Sequence, residues 1–270
     1  MRDAAARKPP FPKFQLFASC CILAFLLTFT VRLAGQITVA AAADLGPALQ
    51  EVTRNYQQKS GREIKVSLGA SGNLTQQIKN GAPFDIFLSA DEDYPKQLID
   101  GGFADASSLY RYAIGNLVLW VPANSTLDPE RAGMDVLLDP SVKKIAIANP
   151  QHAPYGKAAV AALKQSGLYE KVTSRLVLGE NVSQAAQFVE SGNAQAGLVA
   201  LSHALAPGMK EKGRYREVPT GSYPELDQTA VILSHSQHKQ DAAAFLDYLK
   251  SADARAVLQR YGFSLPGDTR

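Results

Sequence analysis

The chain has 270 residues, 46% apolar and 20% charged, which is the composition of a folded protein long enough for two modest domains and excludes a disordered one. Its formal charge of +3 comes from one end: residues 1–35 hold Arg2, Arg7, Lys8, Lys13 and Arg32 against Asp3, and taking these from 28 basic and 25 acidic residues leaves 23 and 24. A near-neutral body excludes the basic field that nucleic-acid binding needs.

Residues 1–35 read as a secretory signal. Arg2, Arg7, Lys8 and Lys13 form a basic leader, and Phe14 to Val31 is apolar apart from small hydroxyl residues and Gln15. Leu33-Ala34-Gly35 supplies small residues for cleavage, with Gln36 as the new start. The alternative is an uncleaved anchor, since ~18 apolar residues can span a bilayer. Both readings put residues 36–270 outside the cytoplasm. Both cysteines, Cys20 and Cys21, lie in the leader, so the cleaved domain is expected to have neither a disulfide nor a thiolate metal site.

From there the chain alternates. Ile37–Ala42 is an apolar strand that ends at Asp44. Leu45 to Lys59 has helical spacing at Leu45, Leu49, Val52 and Tyr56 and is closed by Ser60-Gly61. A second strand, 64–68, runs to Ser71, which opens a helix ended by Asn80-Gly81. A third strand, 84–89, leads to Asp91 as the cap of the next helix. A second block starts near Gly115, with strands at 116–121, 144–148, 176–178 and 197–201 and helices at 157–166 and 182–191. A strand at 229–233 and helices at 241–250 and 252–261 complete the chain. This order predicts an α/β protein with a largely parallel sheet and helices on both faces.

Four junctions share one pattern: an apolar strand gives way to a short polar turn that starts a helix. They are Ala43-Asp44-Leu45-Gly46, Ala70-Ser71-Gly72-Asn73, Pro154-Tyr155-Gly156-Lys157 and Glu180-Asn181-Val182-Ser183. Helix starts present unpaired N–H groups and the positive end of the helix dipole. Several of them aimed at one point make an anion site without a basic side chain. In open parallel sheets such turns lie where ligands bind, at the carboxyl ends of strands. Two turns fall in each block, so a cleft between two lobes would gather all four and close on the ligand.

These turns resemble those of the periplasmic molybdate-binding proteins, the solute receptors of molybdate ABC transporters. The matching segments are Ile37 to Ala43, Gly69-Ala70-Ser71-Gly72-Asn73-Leu74, Gly81 to Asp91, Asn149 to Gly156, Gly179-Glu180-Asn181-Val182, Tyr248-Leu249-Lys250 and Tyr261-Gly262-Phe263. The likeness runs in collinear order through residues 37–265. It implies a type II periplasmic-binding fold, with two lobes, each a mixed, mostly parallel sheet flanked by helices, and the ligand in the cleft between them. Lobe I would comprise residues 36–113 plus 226–270, and lobe II residues 114–225. The family holds its oxyanion by hydroxyls and backbone N–H groups. Ser71 matches a serine that donates both its hydroxyl and its N–H. Tyr155 lies in a turn where some members supply a tyrosine hydroxyl, and Val182 matches a valine that gives its N–H. Ala200 stands where some members place a ligand tyrosine, a hydroxyl that Tyr155 would replace.

Asp44 departs from the family, many of whose members have a serine ligand there. A desolvated carboxylate facing a dianion is repelled by several kcal/mol on an order-of-magnitude estimate. Three outcomes are open: the carboxylate caps its own helix and leaves the N–H of Asp44 or Leu45 for the ligand, it is protonated and donates, or the ligand is not molybdate. Capping is favoured, because Asp is a preferred N-cap.

Structural roles compete at several positions. Ser71 by itself reads as a helix cap, and Asn181 with Gln184 as a capping box that leaves the N–H of Val182 free. Ser89 and Asp91 read as strand end and cap; His152, before the Pro154 turn, is placed to line the cleft, but an exposed loop residue is the favoured reading. His235 and His238 lack a third metal ligand. No Gly-x-Ser-x-Gly elbow, P-loop or His-Glu-x-x-His motif occurs, and only Asp44, Glu180 and His152 are near the turns as acid–base candidates, so an enzyme is not expected. The expectation is a monomeric periplasmic receptor for molybdate, and tungstate with it, that delivers the ion to a membrane permease. No cofactor, cation site or nucleic-acid partner is expected. Sulfate is the alternative ligand, and a membrane-linked anion sensor the alternative role.

Overall fold

The computed structural model describes residues 36–267; residues 1–35, read above as a secretory signal, and with them both cysteines, fall outside the described residues. Two five-stranded sheets organise the chain. The first has the order β2-β1-β3-β10-β4 and the second β7-β6-β8-β5-β9. In the first, β1 (Ile37–Ala42), β2 (Ile64–Gly69) and β3 (Ile86–Ser89) are parallel. β10 (Leu226–Ile232) runs antiparallel between β3 and the edge strand β4 (Tyr110–Gly115). In the second, β6 (Ile145–Ala148), β7 (Leu176–Gly179) and β8 (Ala196–Ala200) are parallel. β5 (Leu117–Pro122) runs antiparallel between β8 and the edge strand β9 (Gly213–Glu217).

The two sheets therefore repeat one plan, four strands in one direction and a reversed strand in fourth place. Each reversed strand is the first after a crossing: β5 follows Asn116, and β10 follows the segment between Glu217 and Leu226. The alternation predicts a largely parallel sheet with helices on both faces, and the family resemblance implies two mixed, mostly parallel sheets, which is what the structure has. Two strands, β4 and β9, are additions to that reading, and both are outer strands of their sheets. The Gly-Arg-Tyr-Arg-Glu sequence of β9 carries charge on an edge, a pattern that deters pairing with other chains. Its arginines turn back to the fold. Arg214 donates to the carbonyls of Ser125 and Leu127, and Arg216 to that of Glu130.

Alternation along β1 divides the first sheet's apolar residues between two layers. Val39 and Ala41 pack with Leu49, Val52 and Tyr56 of the Gly46–Ser60 helix and with Phe245 and Leu249 of the Lys239–Leu249 helix. Ala40 and Phe87 pack on the other side with Leu74 and Ile78 of the Ser71–Lys79 helix and Leu98 of the Asp93–Asp100 helix. The second sheet has its own core, built on Leu117 to Val121 and Ile145 to Ala148 and including the single tryptophan, Trp120. Four small residues of the first sheet's loops and strand ends, Ala42, Ala43, Ala70 and Ala90, join this second core. That overlap marks where the lobes meet.

Two helix starts carry side-chain bonds: Asp91 accepts the N–H of Tyr94 at 3.2 Å, as the sequence predicts, and Ser251 accepts that of Ala254 at 3.3 Å. Gly61 ends the Gly46–Ser60 helix in the left-handed region, with φ +69. Phe245 is fully buried edge-on against Tyr56, with ring centroids 5.2 Å apart. Replacing it with alanine is expected to lower the unfolding free energy by about 3–5 kcal/mol, read as a shift of the urea midpoint. A change below about 1 kcal/mol would contradict this description of the core.

Candidate functional site

At the carboxyl ends of β1, β2, β6 and β7 the chain turns into helices, and the four turns converge on one small cavity. Its lining includes Ala43 and Asp44, Ala70 and Ser71, Pro154 and Tyr155, and Asn181 and Val182, so each turn contributes. The cavity has a volume of about 10 Å³. Holding one water takes roughly 10–15 Å³ on that measure and sites for drug-sized ligands span roughly 300–1,000 Å³, so this one suits nothing larger than a single small ion. Among the described residues, Asp44 and Tyr155 are the only titratable ones in its lining, which includes no lysine or arginine. The four residues singled out in the sequence, Asp44, Ser71, Tyr155 and Val182, are all brought together here, each buried with 4% exposure or less.

Ser71 is the first residue of its helix, not its cap. The cap position is Ala70, which makes no side-chain bond. The Ser71 Oγ instead accepts the N–H of Ala90, at the end of β3, at 3.1 Å. That bond fixes the oxygen and leaves the hydroxyl proton available to donate. Thr75 braces the turn by donating its Oγ to the Ser71 carbonyl at 2.8 Å. The N–H of Gly72 is already taken, by the His152 carbonyl at 2.9 Å.

The Val182–Glu190 helix carries the capping box expected of it. Asn181 Oδ1 accepts the N–H of Gln184 at 3.1 Å, and the Gln184 side chain accepts the N–H of Glu180 at 2.6 Å. The first-turn N–H of Val182 lies outside that exchange and belongs to the groups a helix start leaves over. Pro154 opens its helix with no N–H of its own and no side-chain cap before it.

Tyr155 is fitted by its neighbour Gly115. A Cβ at position 115 would stand 2.3 Å from the tyrosine oxygen and 2.9 Å from Gln228 Nε2. Only glycine lets the hydroxyl lie at the crossing between the sheets. Burial raises the Tyr155 hydroxyl well above its ordinary pKa, and the nearby Asp44 carboxyl adds to that, so it stays a neutral donor.

Asp44 is fully buried, in a single 3₁₀ turn between β1 and the Gly46–Ser60 helix. The capping expected from sequence is not made: neither that turn nor the helix has a side-chain cap bond. The turn is tight and Pro47 follows in the first helical turn, so the carboxyl is not aligned on a free N–H. Neither carboxyl oxygen has a hydrogen bond of normal geometry. Burial pushes the Asp44 pKa up to about 7, against partial relief from Tyr155, Gln228 and the N–H groups of Asp44 and Leu45 beside it.

The lobes touch around the cavity. Besides the Gly72–His152 bond, Asn73 donates to the Glu180 carboxylate, and Ser202 Oγ donates to the Asp44 carbonyl at 2.6 Å. His152 is therefore not a free loop residue. It is partly buried, with Nε2 3.0 Å from the Glu180 carbonyl, and it forms part of the contact between the lobes. Sequence reasoning missed this role, although Gly72 is the residue that permits it: a Cβ there would stand 2.8 Å from the His152 carbonyl oxygen. Ala200, at the end of β8, is buried but not in the cavity lining. Among the described residues no cluster of three His, Cys, Asp or Glu side chains is placed to hold a cation.

The raised Asp44 pKa makes a linkage prediction for the ligand-free protein. The folded state keeps this proton up to about pH 7, whereas the unfolded chain loses it near 3.8, so stability falls as pH rises through that window and is level above it. Asp44→Asn removes the effect. Its stability relative to the parent should rise by about 4 kcal/mol between pH 4 and pH 8 in urea denaturation. A difference that does not change with pH would show that Asp44 is not held in this way.

Known proteins bear on the site. The family described as bacterial extracellular solute-binding protein matches residues 37–264. A molybdate-binding protein, ModA, of Azotobacter vinelandii is 39% identical over 232 residues, covering 86% of this chain and 91% of that one. The molybdate-binding protein ModA of Rhodobacter capsulatus is 36% identical over 230 residues, covering 85% and 88%. The solved periplasmic molybdate-binding protein of Azotobacter vinelandii superposes with a TM-score of 0.81 and covers 86% of this chain and 100% of its own. With its two sheets, its convergent turns and these matches along nearly all of the described residues, the chain belongs to the bacterial extracellular solute-binding proteins.

Proposed function

We propose that this protein is an extracytoplasmic receptor that captures molybdate in the cavity between its lobes and delivers it to the permease of an ABC transporter. The observation that carries this reading is the convergence of helix starts from both sheets on a small buried cavity lined by neutral donors and no cation. A fully deprotonated oxyanion has only acceptor oxygens, and such a lining offers it donors alone once Asp44 is neutral. The resemblance of the turns and the relatives' identity as molybdate-binding proteins select molybdate among ions of this class.

The Ser71 hydroxyl and N–H, the Tyr155 hydroxyl, the Val182 N–H and the Asp44 turn are the groups we assign to the ion. Two of these turns come from each sheet, so the ion would bridge the lobes and favour their approach. The crossings at Asn116 and in residues 218–225 are where such a motion would hinge. Tungstate, equal in charge and nearly equal in size, would bind alike, whereas sulfate is smaller and would leave donors short of their acceptors. We read the role as capture and release by a single chain, without turnover and without a resident cofactor.

Titration calorimetry of residues 36–270 with molybdate, tungstate, sulfate and phosphate tests this. One-to-one binding of molybdate and tungstate with sulfate weaker is the expected result, and a preference for sulfate or phosphate would overturn the assignment of the ion. Ser71→Ala removes one hydrogen bond to a charged group, a loss of about 1.5–3 kcal/mol, or roughly a 10- to 150-fold weaker molybdate affinity. An unchanged affinity in that variant would remove Ser71 from the site.

A further inference from the structure

Asp44 is the one group in the cavity that the reading above does not explain. A carboxylate is an acceptor only, and a dianion offers nothing but acceptors. Like charges in contact repel strongly at the intermediate dielectric of such a site, and a dianion doubles the repulsion. Yet the Asp44 side chain is wholly buried, lines the cavity, and has both oxygens without a proper partner inside the protein. A buried polar group in that condition calls for a physical reason.

Among the described residues no cation is placed to hold it ionised. The Gly46–Ser60 helix brings no titratable group to the cavity, its Glu51 being paired with Arg260. The Val182–Glu190 helix carries its acid at the far end, on Lys212. The Leu201–Ala204 turn packs on the Asp44 turn with His203, which burial keeps neutral, its pKa lowered to about 4. Tyr155 and, from β4, Tyr112 face the carboxyl, and both are raised well above their usual range by burial. Tyr112 in turn donates to the Gln228 side chain, which stands behind the pair. Lys157, one turn along the Pro154–Gln165 helix, lies over the Tyr94 ring and not in the cavity.

We infer that Asp44 takes up a proton as the oxyanion enters, so that each dianion is captured together with one proton and the Asp44 hydroxyl becomes a donor to it. This rests on the oxyanion reading of the cavity and adds to it a regulation, release favoured by alkaline conditions. The balance is simple: one proton moves from solvent to a carboxyl oxygen, no covalent bond to the ion forms, and one negative charge is removed from the site as two arrive. The free carboxyl already titrates near neutrality, and a bound dianion raises it further. Affinity for molybdate is then level below about pH 6 and falls by about tenfold per pH unit above about pH 7.5, since molybdate itself stays a dianion throughout.

The test is calorimetry of molybdate binding near pH 8.5 in two buffers of different ionisation enthalpy, such as Tris and HEPES, which counts protons directly. The parent protein should take up about one proton per ion there and only about a tenth of one at pH 6. Asp44→Asn, whose amide is a permanent neutral donor of similar shape, should take up none and bind with an affinity independent of pH. Binding with no proton uptake in the parent would overturn this inference while leaving the oxyanion reading intact. Uptake that survives in Asp44→Asn would assign the proton to another group and overturn it as well. Absence of molybdate binding at every pH would overturn both.

Discussion

Helices that begin inside a protein leave N–H groups that water cannot reach, and those groups need a partner. Here the starts that follow β1, β2, β6 and β7 all lie at one buried cavity, and most of them lack a side-chain cap. Where a cap does exist, at Asn181, it takes one N–H and leaves others. One of the remaining donors, the Gly72 N–H, is taken across the lobes by the His152 carbonyl. The sheet topology puts two turns from each sheet where one small ion could serve the others.

The rest of the architecture follows from holding these turns in place. Ser71 is fixed by the Ala90 N–H from the end of β3, and its carbonyl by Thr75. Tyr155 reaches the junction because residue 115, at the crossing from one sheet to the other, has no side chain. Small residues at the ends of the first sheet's strands let the second sheet's core come close. The absence of any cation from the cavity has a consequence for selectivity. A site built from hydroxyls and N–H groups rewards a ligand that fills its positions and does little for one that merely carries charge. Asp44 sharpens this, because its carboxyl is tolerable beside an anion only in the neutral form that its burial already favours.

Much of this was legible in the sequence, for physical reasons. Strands such as Ile37–Ala42 and Ile145–Ala148 are buried on both faces and so read as unbroken apolar runs. The Asn181–Gln184 box and the Asp91 cap use side chains whose bonding is local, so spacing alone revealed them. The edge strands β4 and β9 were not legible, because a strand like Arg214 to Glu217 owes its place to partners far along the chain and not to its own pattern. His152 escaped notice as a lobe contact for the same reason, since its partners are Gly72 and Glu180. Asp44 shows the limit most clearly. A local rule favoured a cap, and the tertiary structure overrode it by burying the carboxyl in a tight turn against the other lobe, where the Asp44 carbonyl accepts Ser202.

The most direct measurement is a crystal structure of residues 36–270 grown with molybdate, with the metal located by anomalous scattering. One molybdenum is expected in the cavity, its oxygens within about 2.7–3.2 Å of Ser71 Oγ, Tyr155 Oη and the Val182 nitrogen, with Asp44 turned toward the ion as a donor. Molybdenum bound elsewhere, or held in the cleft by a lysine or arginine, would contradict this expectation.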